Sequence, residues 1–406
     1  MRKYDIIIVG GGAAGFFTAI NAAEMLPEAS ICILERGKEL LNKVRISGGG
    51  RCNVTHAEFL PRELAKNYPR GEKELRGPFH SFMTGDTIEW FEKRGVPLKI
   101  EEDGRMFPES NSSETIIDLF LAETRRLNID VLPKRAVQEI QKGENQWVLI
   151  TSDETFSAKK LLIATGSNPK MWKLLENLGH TVVPGVPSLF TFNISDKRIK
   201  SLPGVATNAA VKLKKSKLET TGPLLITHWG MSGPAILKLS AWGARELSDK
   251  KNFEIEVNWL LDNDFAGILE EFKELKLQNA KQRPHKNVQF DLPKRLWQSL
   301  VAAAGITETE NWADLNKKQL EDLAGQLTRG TFQVHGKSTF KEEFVTAGGV
   351  ELKEVNFKTF ESKICKNLYL AGEVLNIDAI TGGFNFQNAW TGGFLAAKAM
   401  ATDCDA

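Results

Sequence analysis

An α/β fold is what this sequence predicts, and three observations predict it. A short β-branched run at the N-terminus, Asp5 to Val9, leads into glycines spaced GxGxxG and then into an Ala-rich segment reaching Met25. A buried run, Leu161 to Ile163, ends in Ala164-Thr165-Gly166, and a third, Leu368 to Leu370, ends in Ala371-Gly372-Glu373. Apolar runs too short for helices, each closed by a glycine turn, fit buried parallel strands better than amphipathic helices.

The first strand and its turn carry the most information. Gly10-Gly11-Gly12-Ala13-Ala14-Gly15 follows Val9 directly. In a Rossmann-like unit the first glycine permits the tight turn, the second lets backbone approach a pyrophosphate, and the third lets the helix lie close on the sheet. The helix N-terminus then favours an anion through its unsatisfied N–H groups and positive dipole end. Pro27 fits a helix that has ended before it. A second strand, Ile31 to Leu34, ends in Glu35, about 25 positions after Gly10, where a carboxylate can take a ribose diol. Arg36 follows it.

Next comes Arg45-Ile46-Ser47-Gly48-Gly49-Gly50-Arg51-Cys52-Asn53. Three glycines in a row argue for a loop whose amides can cradle an anion, with Arg51 adding a charge-assisted bond. Cys52 is either a redox-active thiol beside a cofactor or a small packing residue. Gly104-Arg105-Met106-Phe107-Pro108 precedes Asn111, read as the N-cap of a helix with Glu114 three residues on. Short strands around Val137 to Ile140, Trp147 to Thr151 and Thr155 to Ser157 predict a three-stranded meander before the separate buried strand at Leu161.

From about Val186 to Phe340 the texture changes to strand-like pieces near Leu189 to Ile194 and Ala209 to Leu213, then helical stretches from Phe265 to Leu327. The expected organisation is a discontinuous cofactor domain of residues 1–188 and 341–406, an inserted β-rich substrate domain of 189–264 and 328–340, and a small helical domain of 265–327. Within the insert, Thr227-His228-Trp229-Gly230-Met231-Ser232-Gly233-Pro234 leads into a helix that Ser232 or Gly233 caps, with Pro234 in its first turn. His228 is a candidate proton donor or substrate ligand, against the plainer reading of a structural histidine. Lys197, Arg198, Lys200, Lys212, Lys214, Lys215 and Lys217 form the one dense basic stretch, read as a strand with a solvated face or as a phosphate-contact surface.

At the far end, Asp378-Ala379-Ile380-Thr381-Gly382-Gly383-Phe384-Asn385-Phe386-Gln387 runs into an Ala/Gly-rich helix. A helix starting there aims amides at an electron-rich edge, which suits a reduced flavin ring, while Gly372 and Glu373 suit the ribityl and phosphate side of the same cofactor. The candidate cofactor-binding set, which the family resemblance given below also implies in its main part, is Gly10, Gly12, Ala13, Ala14, Gly15, Glu35, Arg36, Gly48, Gly49, Gly50, Arg51, Cys52, Asn53, Val137, Thr165, Gly166, Gly372, Glu373, Gly382, Gly383, Phe384, Asn385 and Gln387.

Composition narrows the class. The chain has 406 residues, 42% of them hydrophobic and 26% charged, with a formal charge of +2, which gives no global pull toward nucleic acid or membrane. Cys32, Cys52, Cys365 and Cys404 contain no CxxC pair, so neither a zinc site nor a disulfide framework is expected. The apolar run behind the basic start is too short for a signal peptide, and no stretch reaches the length of a membrane span; a cytoplasmic protein is expected.

The stretches Ser47 to Asn53, Gly104 to Pro108, Thr227 to Pro234 and Ala371 to Gln387, together with the N-terminal fingerprint, resemble the BaiN/RdsA (YhiN-like) family of FAD-dependent oxidoreductases. The resemblance covers essentially the whole chain. It implies a glutathione-reductase-like FAD domain built from both chain ends, an inserted β-barrel-like domain and a small helical one. Activities linked to the family are ribosomal-RNA dihydrouridine formation, bile-acid reduction and amine oxidation. The expected activity is hydride transfer from NAD(P)H through FAD to an electron-poor C=C bond, such as that of an rRNA uridine. The nicotinamide would bind transiently, because no second GxGxxG is present. A flavin oxidase acting on a small amine, and a non-catalytic flavin-bound RNA- or protein-binding module, are the alternatives. The sequence leaves the proton donor and the oligomeric state open.

Overall fold

The computed structural model describes residues 1–261, 263–338 and 345–402. Cys404 therefore lies outside the described residues, as does the segment 339–344. The chain divides into two compact units, one of residues 1–186 with 341–406 and one of residues 187–340.

The first unit is built on a twisted mixed sheet. The N-terminal strand Arg2–Val9 lies at its centre, parallel to Ile31–Leu34 on one side and Thr155–Ile163 on the other. Asp130–Leu132 extends the first side and Leu368–Leu370 the second, both in parallel. Val9 is level with Leu34 and Ile163, and Ile163 is level with Leu370. Four strands thus end together at one edge, and the turns that follow them are brought side by side.

Burial explains why these runs are strands. Ile6 to Val9, Ile31 to Leu34 and Leu161 to Ile163 are all buried on both faces, as strands covered by helices must be. The helix Ala13–Met25 covers one face, with ten buried residues in thirteen. Against it lies the C-terminal helix Phe384–Thr402, so closely that a Cβ on Gly393 would sit 2.8 Å from Thr18 Oγ1 and 3.2 Å from the Ala14 carbonyl oxygen. Phe17, Trp90, Phe120 and Trp390 interlock beside this contact with ring centroids 4.6 to 5.9 Å apart. Such aromatic pairs add about 1 kcal/mol each beyond their buried area.

Two local expectations are corrected. The third meander strand and the buried strand at Leu161 are one continuous strand, Thr155–Ile163, which pairs antiparallel with Trp147–Ile150 near its start and parallel with the N-terminal strand along its length. The sequence break at Lys159-Lys160 suggested two, but Lys160 is buried and its Nζ donates to the Met400 carbonyl at 2.5 Å. The helix Ser113–Arg126 is capped by Ser112, whose Oγ accepts from Glu114 N at 3.3 Å, and not by Asn111, which takes the left-handed φ of 54° in the turn before it.

The second unit contains a seven-stranded antiparallel sheet, ordered Gly330–Val334, Phe253–Asn258, Ala206–Leu213, Glu219–Thr227, Gly230–Ser232, Thr191–Asn193 and Gly336–Ser338. The helices Phe265–Gln278, Lys294–Ala303 and Lys317–Thr328 share one hydrophobic core with that sheet: Phe272, Trp297, Leu300 and Trp312 belong to the same cluster as Ile255, Val257 and Phe332. Gly233 is the N-cap of Pro234–Trp242, with Pro234 in the first turn.

The basic stretch is not a uniform positive surface. Arg198 turns inward, bonded to Asp196, Gln326 and the Thr331 carbonyl, with its guanidinium 3.9 Å above the Phe332 ring. Lys212 stands directly across from Glu219 on one neighbouring strand and Glu256 on the other, and Lys214 pairs with Glu254 at 3.4 Å. Cross-strand opposite charges of this kind stabilise a sheet surface and reduce the local field.

Candidate functional site

The site lies in the first unit, at the edge where the parallel strands end. In open α/β sheets this is where ligands bind, outside the carboxyl ends of the strands. Four segments meet there: the turn after Val9, the acid after Leu34, the turn after Ile163 and the turn after Leu370.

The N-terminal turn is fixed by contacts that exclude any side chain. Gly10 has φ 119°, and a Cβ on it would lie 2.4 Å from the Ala164 carbonyl oxygen; one on Gly15 would lie 2.0 Å from the Gly10 oxygen. Gly12 is different. A Cβ there would meet nothing within 4 Å, and Gly12 caps the helix with no side-chain hydrogen bond to the first-turn amides. The open space beside Gly12, and first-turn N–H groups left without a capping side chain, fit the phosphates of a dinucleotide. Ala13 and Ala14 start the helix.

Glu35 ends its strand in place, but its carboxylate is already engaged. Oε2 accepts from Gly11 N at 2.8 Å and Oε1 from Gly37 N at 2.7 Å. An ionised carboxylate has about four lone-pair sites, so capacity for a diol remains. Arg36 beside it is exposed. Arg135 N donates to the Glu35 carbonyl at 2.8 Å, which brings the loop carrying half-buried Val137 to the same edge.

The segment Asn42–Gly50 begins as a helix and leaves helical geometry at Ser47, with left-handed φ of 57°, 68° and 84° at Gly48, Gly49 and Gly50. The expected glycine loop is present as the last turn of this broken helix. Arg51 is held by Glu101 at 2.6 Å, and its guanidinium stacks 3.9 Å over Phe107. Asn53 Oδ1 accepts from Met106 N at 3.3 Å. Cys52 is fully buried, and burial pushes its thiol up to about 12. A thiol held there is neutral at ordinary pH, which is the condition of a packing residue and not of a nucleophile.

Thr165 contributes a buried hydroxyl with no hydrogen-bond partner among the described residues. An orphaned donor of this kind calls for a ligand or a water. Gly166 and Gly372 have φ of 61° and 75°, and Glu373 pairs with Lys43. Gly383 fits only as glycine, since a Cβ would lie 2.5 Å from the Thr55 carbonyl oxygen. Asn385 is turned back on the loop, accepting from Ala379 N at 3.0 Å. Gln387 is fully buried: its Oε1 accepts from Thr55 Oγ1 at 2.6 Å and Thr87 Oγ1 at 3.0 Å, and its Nε2 donates to Thr391 Oγ1 at 3.2 Å. The side chains of Asn385 and Gln387 thus hold the start of the C-terminal helix.

His228, the candidate proton donor, belongs to the other unit: His228 and Trp229 form the exposed two-residue turn between Glu219–Thr227 and Gly230–Ser232. Sequence reasoning missed Lys43, Thr55, Thr87, His56 and the buried pair of Arg70 with Asp378. Asp378 has no exposed surface, and a buried carboxylate requires a partner, but no local sequence pattern marks that burial or points to Arg70. No group of three metal-ligating side chains occurs among the described residues, and no described helix is long and apolar enough to cross a membrane.

Comparison with known proteins agrees with this geometry. The family model described as "HI0933-like protein Rossmann domain" matches residues 4–399. A 3-dehydro-bile acid delta(4,6)-reductase of Clostridium scindens is 28% identical over 97% of this chain and 98% of its own length. A ribosomal RNA dihydrouridine synthase of Haemophilus influenzae is 28% identical over 99% of this chain and its whole length. Among solved structures, a 3-ketosteroid-delta4-(5alpha)-dehydrogenase of Rhodococcus jostii RHA1 superposes with a TM-score of 0.53 at 12% identity, covering 98% of this chain and 97% of that one, a likeness of fold.

Proposed function

The chain belongs to the HI0933-like Rossmann family and is a flavin-dependent oxidoreductase; from that premise we propose that it uses NAD(P)H to reduce an electron-poor C=C bond in a conjugated cyclic carbonyl, with an rRNA uridine as the preferred acceptor. FAD supplies the hydride exchange when bound. The chain's own residues bind and orient: the uncapped amides behind Gly12 take the pyrophosphate, Glu35 takes the ribose, and the Gly48 to Asn53 turn and Thr165 line the middle of the nucleotide. Glu373, held by Lys43, and the turn at Gly382 and Gly383 hold the flavin end. Lys212, Lys214, Lys215 and Lys217 remain the candidate RNA contacts, although Glu219, Glu254 and Glu256 offset the first two.

The observation that carries the reading is the near full-length similarity to two relatives whose names share one chemistry. A delta(4,6)-reductase and a dihydrouridine synthase each add hydrogen across a ring double bond. The test is anaerobic mixing of the purified protein with NADPH and, separately, NADH, followed by flavin absorbance. Rapid bleaching, with re-oxidation by unmodified rRNA and formation of dihydrouridine, is expected. A normal bound-flavin spectrum that neither nucleotide bleaches would overturn the nicotinamide step. Re-oxidation by a steroid enone and not by RNA would overturn the acceptor.

A further inference from the structure

Two of the four motifs singled out in the sequence meet at one residue that neither of them contains. His56 follows the glycine turn that ends at Asn53, and its ring fills the space left by two other glycines. A Cβ on Gly104 would lie 2.7 Å from His56 Nε2, and one on Gly382 would lie 3.2 Å from Nδ1. The ring also stacks on Phe384, with centroids 4.5 Å apart and planes 30° from parallel.

The hydrogen bonding fixes the tautomer. Nδ1 lies 3.1 Å from the Gly382 carbonyl oxygen, and a carbonyl can only accept, so Nδ1 carries the hydrogen. In the neutral ring Nε2 is then a lone pair. No residue among those described donates to it, and the ring is half-buried. Burial holds the imidazole below its ordinary range, against the carboxylates of Asp103 and Glu58 and with Arg105 on the same side. Gly104, at φ 82°, packs against this edge of the ring without placing a Cβ on Nε2.

We propose that His56 is a positioning residue for the flavin end of the site: Nδ1–H fixes the turn ahead of the C-terminal helix, and Nε2 accepts a hydrogen bond from an N–H or O–H of the bound flavin nucleotide. This rests on the reading of the site as an FAD site. Phe384 is gripped from both sides, by the imidazole and by Tyr68, whose hydroxyl donates to the Phe384 carbonyl at 2.6 Å. The turn carrying Gly382 and Gly383 is thereby set before any ligand arrives, and the imidazole contributes one acceptor to whatever docks on it.

The test uses the full-length protein stripped of flavin and titrated with FAD, with flavin fluorescence for Kd and the visible spectrum followed between about pH 8 and about pH 5, a range that spans the ordinary histidine pKa. His56→Asn retains an amide donor near the Nδ1 position and removes the Nε2 acceptor, so its Tm should stay near wild type while FAD affinity falls about tenfold, the worth of one hydrogen bond. The pH-dependent shift of the bound-flavin spectrum should disappear with it. Gly104→Ala, with His56 intact, should weaken FAD similarly by crowding Nε2. Wild-type affinity and an unchanged spectral titration in H56N would overturn the proposal while leaving the FAD site standing. A wild-type protein that takes up no FAD would overturn both.

Discussion

The two glycine clusters of the first unit look alike in sequence and are held by different forces. In Gly10 to Gly15 the outer residues are dictated by contact: a Cβ on Gly10 or Gly15 would fall 2.4 or 2.0 Å from a backbone oxygen. In Gly48 to Gly50 the dictate is conformational. Gly49 and Gly50 face open space but have φ of 68° and 84°, where a side chain clashes with its own backbone. In this second cluster only Gly48 carries both constraints, with a Cβ 2.9 Å from Phe107, as Gly10 does in the first with φ 119°. The first cluster belongs to the packing of the sheet; the second is a local choice of backbone.

Substitution should separate the two, and the largest effect belongs to the first. Gly15→Ala drives a methyl into the Gly10 carbonyl, which cannot retreat without moving the helix off the sheet. A loss of about 3 kcal/mol or more in urea unfolding, together with loss of bound FAD, is expected, at the upper end of overpacking costs. Near wild-type stability in this variant would show that the turn has slack the contacts do not reveal. Gly49→Ala and Gly50→Ala should each cost about 1 to 2 kcal/mol, the left-handed penalty alone, and Gly49→Asn should recover part of it because asparagine tolerates that region. Equal losses for Gly15→Ala and Gly49→Asn would erase the distinction.

The same contrast explains what could be read from the sequence. The first cluster was legible because strand, glycines, helix and Glu35 are contiguous and each has one physical role. The ends of the parallel strands followed from it. Long-range partners were hidden: Lys43 with Glu373, Thr55 with Gln387 and Arg70 with Asp378 join residues about 300 apart, and no local pattern marks either member. Cap placement failed at Asn111 because Asn and Ser are near-equal caps and adjacent here, and the tie was broken by backbone φ. The strand at Lys159-Lys160 was split because two charged residues imply exposure, while the fold buries one of them against the C-terminal helix.

Neither cluster contains a group that titrates near neutrality, so acid sensitivity of this unit must come from elsewhere, and His180 is the place. Its Nδ1 lies 3.0 Å from Glu354 Oε2 and its Nε2 2.9 Å from Ser362 Oγ. Ser362 Oγ also receives Ile364 N and Cys365 N, so its own hydrogen goes to Nε2 and the neutral imidazole is the form that fits. Burial lowers the His180 pKa from 6.5. Below 6.5 the unfolded chain therefore binds more protons than the folded one, so stability present at neutral pH is lost as pH falls through that window. His56 is shifted in the same direction and adds to the effect. The urea midpoint should drop between about pH 7 and about pH 5, and His180→Gln should flatten part of that slope even if it lowers stability throughout. An undiminished slope in H180Q would assign the acid sensitivity to other groups.

The smallest expected effect tests whether the second cluster is rigid despite its open surroundings. Cys52 follows Gly50 by two residues, is fully buried, and takes φ 60° with its N–H donating to the Ser47 carbonyl at 3.0 Å. Alkylation by iodoacetamide requires both access and thiolate, and the folded site withholds both, with the thiol pushed up to about 12. Native protein at about pH 8 should therefore leave Cys52 unmodified on a timescale in which the urea-unfolded chain, whose thiol returns to the ordinary range near 8.5, reacts fully. Mass spectrometry of the peptide containing Cys52 reads this directly. Rapid modification in the native state would mean that the left-handed glycines open as a unit on that timescale. The contrast between a cluster held by contact and one held by φ would then become a contrast in mobility, and Gly49→Ala, by penalising the closed backbone, should accelerate the reaction further. Protection that survives Gly49→Ala would place the barrier in the packing of Cys52 itself.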